Sequence, residues 1–322
     1  MNLLQKIAEN KNIKKPVIYG IKGLELLQEE VIFFQKSGPI GFILFARNIK
    51  NKVQVKKLTD SLRKIMQGEV LILIDQEGGR VARLNANNDE WPKYPPAQYF
   101  GKIYESGEKE RAKTECFNNY QNIAQNLDEI GINVNCAPLI DILQEETHDI
   151  IGDRAYGSNI DQIHDLAHET CTALLKNNVY PVIKHIPGHG RANLDSHTDL
   201  PIVNASLEEL EKTDFLTFKK LKDQKFAMTA HILYNAIDKI NPATTSKKAI
   251  KIIREKIGFN NILMTDDLSM KALPGTFAHK TQQALNAGCD LILHCNANMQ
   301  EMLEIDNNLP KINQNLIQKL IK

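Results

Sequence analysis

Eight short apolar runs recur along this 322-residue chain, and stretches of helical length separate them. The runs occupy residues 16–21, 41–46, 70–75, 132–139, 179–185, 226–232, 261–266 and 290–295. They are apolar on both faces of the expected strand, so both faces must be covered, as in a parallel sheet wrapped by helices. Helical patterns fall at 24–36, 52–66, 108–130, 160–177, 247–257 and 299–322. Ser206 and Glu209 form a capping box that opens another helix, and Gly288 stops one after Leu285. Eight strands alternating with eight helices is the count of an α/β protein folded as a (β/α)8 TIM barrel. An open doubly wound sheet is the structural rival.

The polar residues favour the barrel, because they cluster just after the apolar runs. Asp75, Gln76 and Glu77 follow the third run, and Asp141 and Arg154 the fourth. Lys184 and His185 close the fifth, His231 the sixth, and Asp266 and Asp267 the seventh. A barrel brings all these positions to one rim, whereas an open sheet gathers only those near its switch point. No linker rich in proline, glycine or serine divides the chain, so residues 1–322 are read as one domain.

Bulk properties exclude several classes of partner. The formal net charge of +1 gives no field for nucleic acid or an anionic membrane. No apolar run approaches the ~20 residues that cross a bilayer, and the N-terminus lacks the pattern of a secretory signal. Five cysteines, with no CxxC pair, read as buried free thiols in a reducing compartment, so the expected location is the cytoplasm.

Four polar stretches carry chemistry. In DQEGGRVARL (75–84) two glycines turn the backbone off the strand, and Asp75 with Arg80 and Arg83 could clamp a polar substrate. The blander alternative is a solvated loop with an internal ion pair. GDRAYG (152–157) offers Arg154 as a hydrogen-bond fork, or is a structural turn. MTDDLSM (264–270) puts two acids after an apolar strand, for use as a nucleophile or as a helix cap.

The fourth stretch, VIKHIPGHGRANLDSHTDLP (182–201), gathers three histidines. His185, His189, Asp195 and His197 could ligate a metal, although no standard zinc spacing is present. Alternatively Asp195 orients His197 and favours its charged form, giving a general acid–base near neutral pH. A third possibility is that the histidines only brace a loop. The IPGHG turn would aim Lys184 and His185 at the rim, with His189 bracing it from behind.

Taken together these motifs resemble the family 3 glycoside hydrolases, in particular their bacterial cytosolic β-N-acetylglucosaminidases. The resemblance is carried by ILFARN (43–48), DQEGGRVAR (75–83), GDRAYG (152–157), KHIPGHG with DSH (184–190, 195–197), TDDLSM (265–270) and AGCDLIL (287–293). It departs at Ile186 and Tyr156, where phenylalanine is common in the family. The resemblance implies a (β/α)8 barrel that hydrolyses terminal β-linked N-acetylglucosamine (GlcNAc) with retained configuration. The implied substrates are cell-wall fragments of the GlcNAc-1,6-anhydro-N-acetylmuramic acid (MurNAc) type, with or without peptide, in peptidoglycan recycling. It implies no metal and no organic cofactor; separately, the protein is expected to be a monomer. It makes Asp266 the nucleophile and His197 the acid–base supported by Asp195. Sugar would be bound by Asp75, Arg83, Arg154, Lys184 and His185.

Two rivals of other kinds remain. One is a metal-dependent barrel hydrolase that uses His185, His189 and His197, which a chelator would inactivate. The other is a sugar-binding module on a decayed barrel, against which stands the presence of Asp266, Asp195 and His197. A β-glucosidase-type relative is a closer alternative. That branch takes its acid–base from a carboxylate on another domain, and no second domain is expected here.

Overall fold

The computed structural model describes residues 1–85, 90–144, 147, 149–192, 194 and 199–322. Eight parallel strands close into a barrel: β1 (Lys15–Gly20), β2 (Pro39–Leu44), β3 (Leu71–Ile74), β4 (Val134–Asn135), β5 (Tyr180–Ile186), β6 (Phe226–Thr229), β7 (Ile262–Asp267) and β8 (Leu291–His294). Neighbours in sequence are neighbours in the sheet, and β8 pairs with β1 through Val17 and Ile292. Every residue of β2 and β3 is buried. That is the state their unbroken apolar runs demand, with helices outside and packed side chains within. The open sheet is thereby excluded.

The helices lie close to their expected places. Lys52–Ile65, Lys109–Glu129 and Ile160–Lys176 match within a residue or so. Ser206 caps Leu207–Lys212 by accepting the Glu209 N–H, and Gly288 ends Phe277–Ala287 with φ 117°. The expected helix over 299–322 is two helices, Met299–Asn308 and Gln314–Ile321. Pro310 separates them, since proline has no N–H and clashes with the preceding turn. The second of these packs against an N-terminal helix, Leu3–Glu9, which sequence reading missed, as it missed Ala97–Glu105.

The fourth run is the largest difference. Only Val134 and Asn135 are strand, and side-chain amides extend the seam to β3. Asn133 Oδ1 accepts the Ile72 N–H at 2.7 Å, and its Nδ2 donates to Val70 O at 2.9 Å. Asn135 Oδ1 accepts the Gln76 N–H at 3.0 Å and Nδ2 donates to Gln76 O at 2.9 Å. Each asparagine therefore satisfies buried backbone groups that a longer ladder would pair. Two small sheets decorate the loops. Gln76–Gly78 pairs with Val81–Ala82 as a hairpin, and Ile202–Val203 pairs with Leu233–Tyr234. Positive φ values at Gly78 (101°) and Gly79 (55°) make that hairpin possible directly after β3. All five cysteines are buried and unpaired.

Asn135→Ala should lower stability by roughly 1–3 kcal/mol, because the Gln76 N–H and C=O lose their buried partner. Urea unfolding of the variant measures it, and an unchanged midpoint would contradict this role.

Candidate active site

One end of the barrel collects the polar residues, as strand direction requires. The loop after β3 supplies Asp75, Glu77, Arg80 and Arg83. The connection after β4 supplies Asp141 and Arg154, the latter in a short 3-10 turn, Gly152–Arg154. β5 contributes Lys184 and His185, and β7 contributes Asp266 and Asp267. A cavity of about 590 Å³ opens among them, and Asp75, Arg83, Arg154, Lys184, His185 and Asp266 all form part of its wall. A few convergent polar groups in a cavity of this size suit a small polar ligand.

A chain of alternating charges underlies one side. Lys184, only 2% exposed, has its Nζ 2.9 Å from Asp75 Oδ1 and 2.6 Å from Glu77 Oε1. Arg154 clamps Glu77 with two bonds of 2.8 Å, and Arg83 Nη2 lies 3.6 Å from Asp75 Oδ2. Burial alone would push both carboxyl pKa values up. Lys184 and Arg83 outweigh burial at Asp75, and Arg154 and Lys184 do so at Glu77, so both stay below the ordinary range. Burial likewise opposes the charge of Lys184, but Asp75 and Glu77 raise its pKa above the usual value. Asp75, Glu77 and Lys184 are therefore ionised at neutral pH.

Asp141 organises the start of the histidine-rich stretch. It is 1% exposed and accepts from His185 Nδ1–H at 2.8 Å and from the His189 N–H at 2.6 Å. A carboxylate only accepts, so Nδ1 of His185 carries the hydrogen. Burial, reinforced by the neighbouring His185, pushes His189 down to about 4, so its ring is neutral at pH 7. Further on, Arg191 is fixed by Asp214 at 2.7 Å and Glu209 at 2.7 Å. Asp195 and His197 lie outside the described residues.

The two acids of β7 are in different situations. Asp267 Oδ1 accepts the Cys295 N–H at 3.0 Å and the Ser269 N–H at 3.0 Å, and its Oδ2 accepts from the Ser269 hydroxyl. Its carboxylate is committed to holding the turn. Asp266 is half-buried on the cavity wall, with Oδ1 accepting the Asp267 N–H at 2.8 Å. The helix-cap alternative does not hold: the next helix, Phe277–Ala287, is capped by Thr276, and Asp267 braces the turn instead.

Sequence reasoning gave no role to Glu77, Asp141 or His231. Glu77 sits in the DQEGG motif, so its acid was visible, but Arg154 and Lys184 reach it from distant parts of the chain. His231 is fully buried and bridges Thr244 and the Asp267 backbone. Among the described residues no group of three or more His, Cys, Asp or Glu side chains is arranged to hold a metal ion. The third histidine of that alternative, His197, is not among them.

A barrel rim of this make-up suits a hydrolase of polar, hydroxyl-rich substrates. The sequence model for the N-terminal domain of glycosyl hydrolase family 3 matches residues 21–321. The chain belongs to glycoside hydrolase family 3. It is 35% identical to a β-hexosaminidase of Methylobacillus flagellatus over 286 residues, covering 87% of this chain and 80% of that one. Its fold superposes on NagZ of Neisseria gonorrhoeae, solved with N-trifluoroacetyl-D-glucosamine, with a TM-score of 0.87 and 30% identity. That match covers 96% of this chain and 91% of the other. The Neisseria protein has also been solved in complex with a zinc ion.

Two outcomes follow from the electrostatics. Glu77→Gln keeps the shape but leaves Lys184 and Arg154 short of a buried anion, and should cost about 3–5 kcal/mol in urea unfolding. The depressed value of His189 makes stability pH-dependent. Below pH ~6.5 the unfolded chain takes up a proton that the folded chain refuses until pH falls to about 4. The His189 contribution is therefore complete above pH ~6.5 and is lost as pH falls from there to about 4. His164 and His231 are also lowered, chiefly by burial, and add to the slope below pH ~6.5. Unfolding measured between pH 7 and pH ~4.5 should show that slope, and His189→Gln should reduce it.

Proposed function

We propose that this chain is an exo-acting, configuration-retaining β-N-acetylglucosaminidase that removes the non-reducing terminal GlcNAc from GlcNAc-1,6-anhydro-MurNAc fragments, with or without peptide. The chain is a β-N-acetylhexosaminidase by class, like its relatives of the same family. The proposed setting is cytoplasmic peptidoglycan recycling, with the enzyme acting as a monomer. No helix among the described residues is long and apolar enough to cross a membrane.

The observation that carries the mechanism is the contrast between the two acids of β7. Both line the cavity, but the Asp267 carboxylate is occupied with the turn, accepting from the Cys295 N–H and from Ser269, whereas Asp266 is the acid read as the nucleophile. The Asp266 carboxylate attacks the anomeric carbon. The glycosidic C–O bond breaks, and the leaving oxygen takes a proton from the His197 imidazolium. Neutral His197 then removes a proton from water as its oxygen attacks the anomeric carbon and releases the Asp266 carboxylate. Two inversions give retention. Retaining glycosidases usually employ two carboxylates about 5 Å apart, and here the Asp195–His197 dyad replaces the second. One imidazole serves both steps only if it titrates near neutrality, which Asp195 favours by stabilising its charged form. Asp75 accepts from sugar hydroxyls, Arg83, Arg154 and Lys184 donate to them, and His185, its Nδ1–H held by Asp141, offers them Nε2. The charge chain beneath holds these groups in place before substrate arrives.

The test is hydrolysis of a chromogenic β-N-acetylglucosaminide with EDTA present throughout. Wild type should turn over, and Asp266→Ala should lose on the order of 10⁴-fold or more in kcat. His197→Ala should lose about 10²–10⁴-fold in kcat/KM on a poor leaving group and little on a dinitrophenyl leaving group, which needs no proton. Turnover abolished by EDTA would instead favour metal ligation by His185, His189 and His197. Full activity of Asp266→Ala would remove the nucleophile assignment.

A further inference from the structure

His231 is completely buried two residues past the end of β6, and the mechanism above gives it no task. Its Nε2 lies 3.0 Å from Asp267 O and its Nδ1 2.7 Å from Thr244 Oγ1. A carbonyl can only accept, so Nε2 carries a hydrogen. In the neutral ring Nδ1 is then a bare acceptor and takes the single hydroxyl hydrogen of Thr244. Thr229 Oγ1, 2.8 Å from Thr244 Oγ1, donates to the oxygen so polarised. Thr244 Oγ1 also lies 3.1 Å from Ala230 O, which would receive that hydrogen only if the ring were charged. Burial lowers the His231 pKa, against the pull of nearby Asp266, and so selects the neutral arrangement.

The result is a directed line of hydrogen bonds: Thr229 to Thr244 to His231 to the Asp267 carbonyl. Residue 267 is gripped elsewhere by its own carboxylate, which accepts from Cys295 N–H and Ser269. Its carbonyl and side chain are thus both anchored, and on the other side of the same Cα its N–H donates to Asp266 Oδ1 at 2.8 Å.

We infer that His231 is a positioning residue for the nucleophile: its Nε2–H holds the Asp267 carbonyl, and the N–H of the residue so anchored aims the Asp266 carboxylate. The inference rests on Asp266 being the nucleophile. It gives the histidine just past β6 a function separate from sugar binding, because the groups proposed to bind sugar come from the loops after β3 and β4 and from β5.

His231→Leu, His231→Gln and Thr244→Val test it, each assayed with a dinitrophenyl and a phenyl β-N-acetylglucosaminide, with GlcNAc inhibition measured alongside. His231→Leu should lose about 10–100-fold in kcat/KM, the scale of a misplaced reacting group, and lose it equally for both leaving groups. GlcNAc inhibition should stay within about threefold. His231→Gln, whose amide N–H can still reach toward Asp267 O, should recover part of the loss. Thr244→Val keeps the shape and removes the hydroxyl that donates to Nδ1. It should lose about fivefold, the worth of one neutral hydrogen bond, and serves if the leucine variant fails to fold. Unchanged kcat/KM in the folded variants, with Asp266→Ala inactive, overturns the inference alone. Weakened GlcNAc inhibition in step with kcat/KM also overturns it, since the defect would then be collapse of the sugar site. An active Asp266→Ala removes both the nucleophile and this inference.

Discussion

The Lys184 ammonium is the group around which the site is arranged. It is buried at the end of β5 between two carboxylates that both arrive on the loop after β3. Taking an ion out of water costs several kcal/mol, and only close, well-directed partners offset that. Glu77 needs Arg154 as well as Lys184, and Asp75 draws on Arg83, so three stretches of chain must meet in register. The cluster holds three cations and two anions, a surplus of one positive charge, beside a cavity whose wall also carries Asp266. A fixed field of this kind is set up by folding and needs no reorganisation when substrate enters.

Much of the fold was legible in the sequence because a fully buried parallel strand leaves a plain signature. All eight runs became barrel strands, and the glycine stop at Gly288 and the Ser206 cap are where local chemistry put them. The fourth run was legible in place but not in form. Asn133 and Asn135 replace part of the ladder with side-chain amides, and no alternation pattern announces that use of asparagine. The break at Pro310 could have been read directly, since a helix through an internal proline is costly.

The site was legible to a different degree. Asp75, Arg83, Arg154, Lys184, His185 and Asp266 were singled out from their positions after apolar runs and from motif likeness, and they share one cavity. Glu77, Asp141 and His231 support them from behind, and Asp267 does so from the cavity wall itself. Their partners lie far away in sequence or on the backbone, and such partnerships exist only once the barrel has closed. What a linear pattern shows is which residues reach the rim, not which neighbours hold them there.

The five cysteines have a practical consequence. Each thiol is buried, and burial pushes its pKa upward, to about 12 at Cys116 and Cys289. Thiolate is the reactive form, so the folded enzyme is chemically quiet toward alkylating reagents at neutral pH, even at Cys295 on the cavity wall. A single cysteine introduced on the surface would therefore accept a fluorophore or spin label selectively, with no native residue removed first.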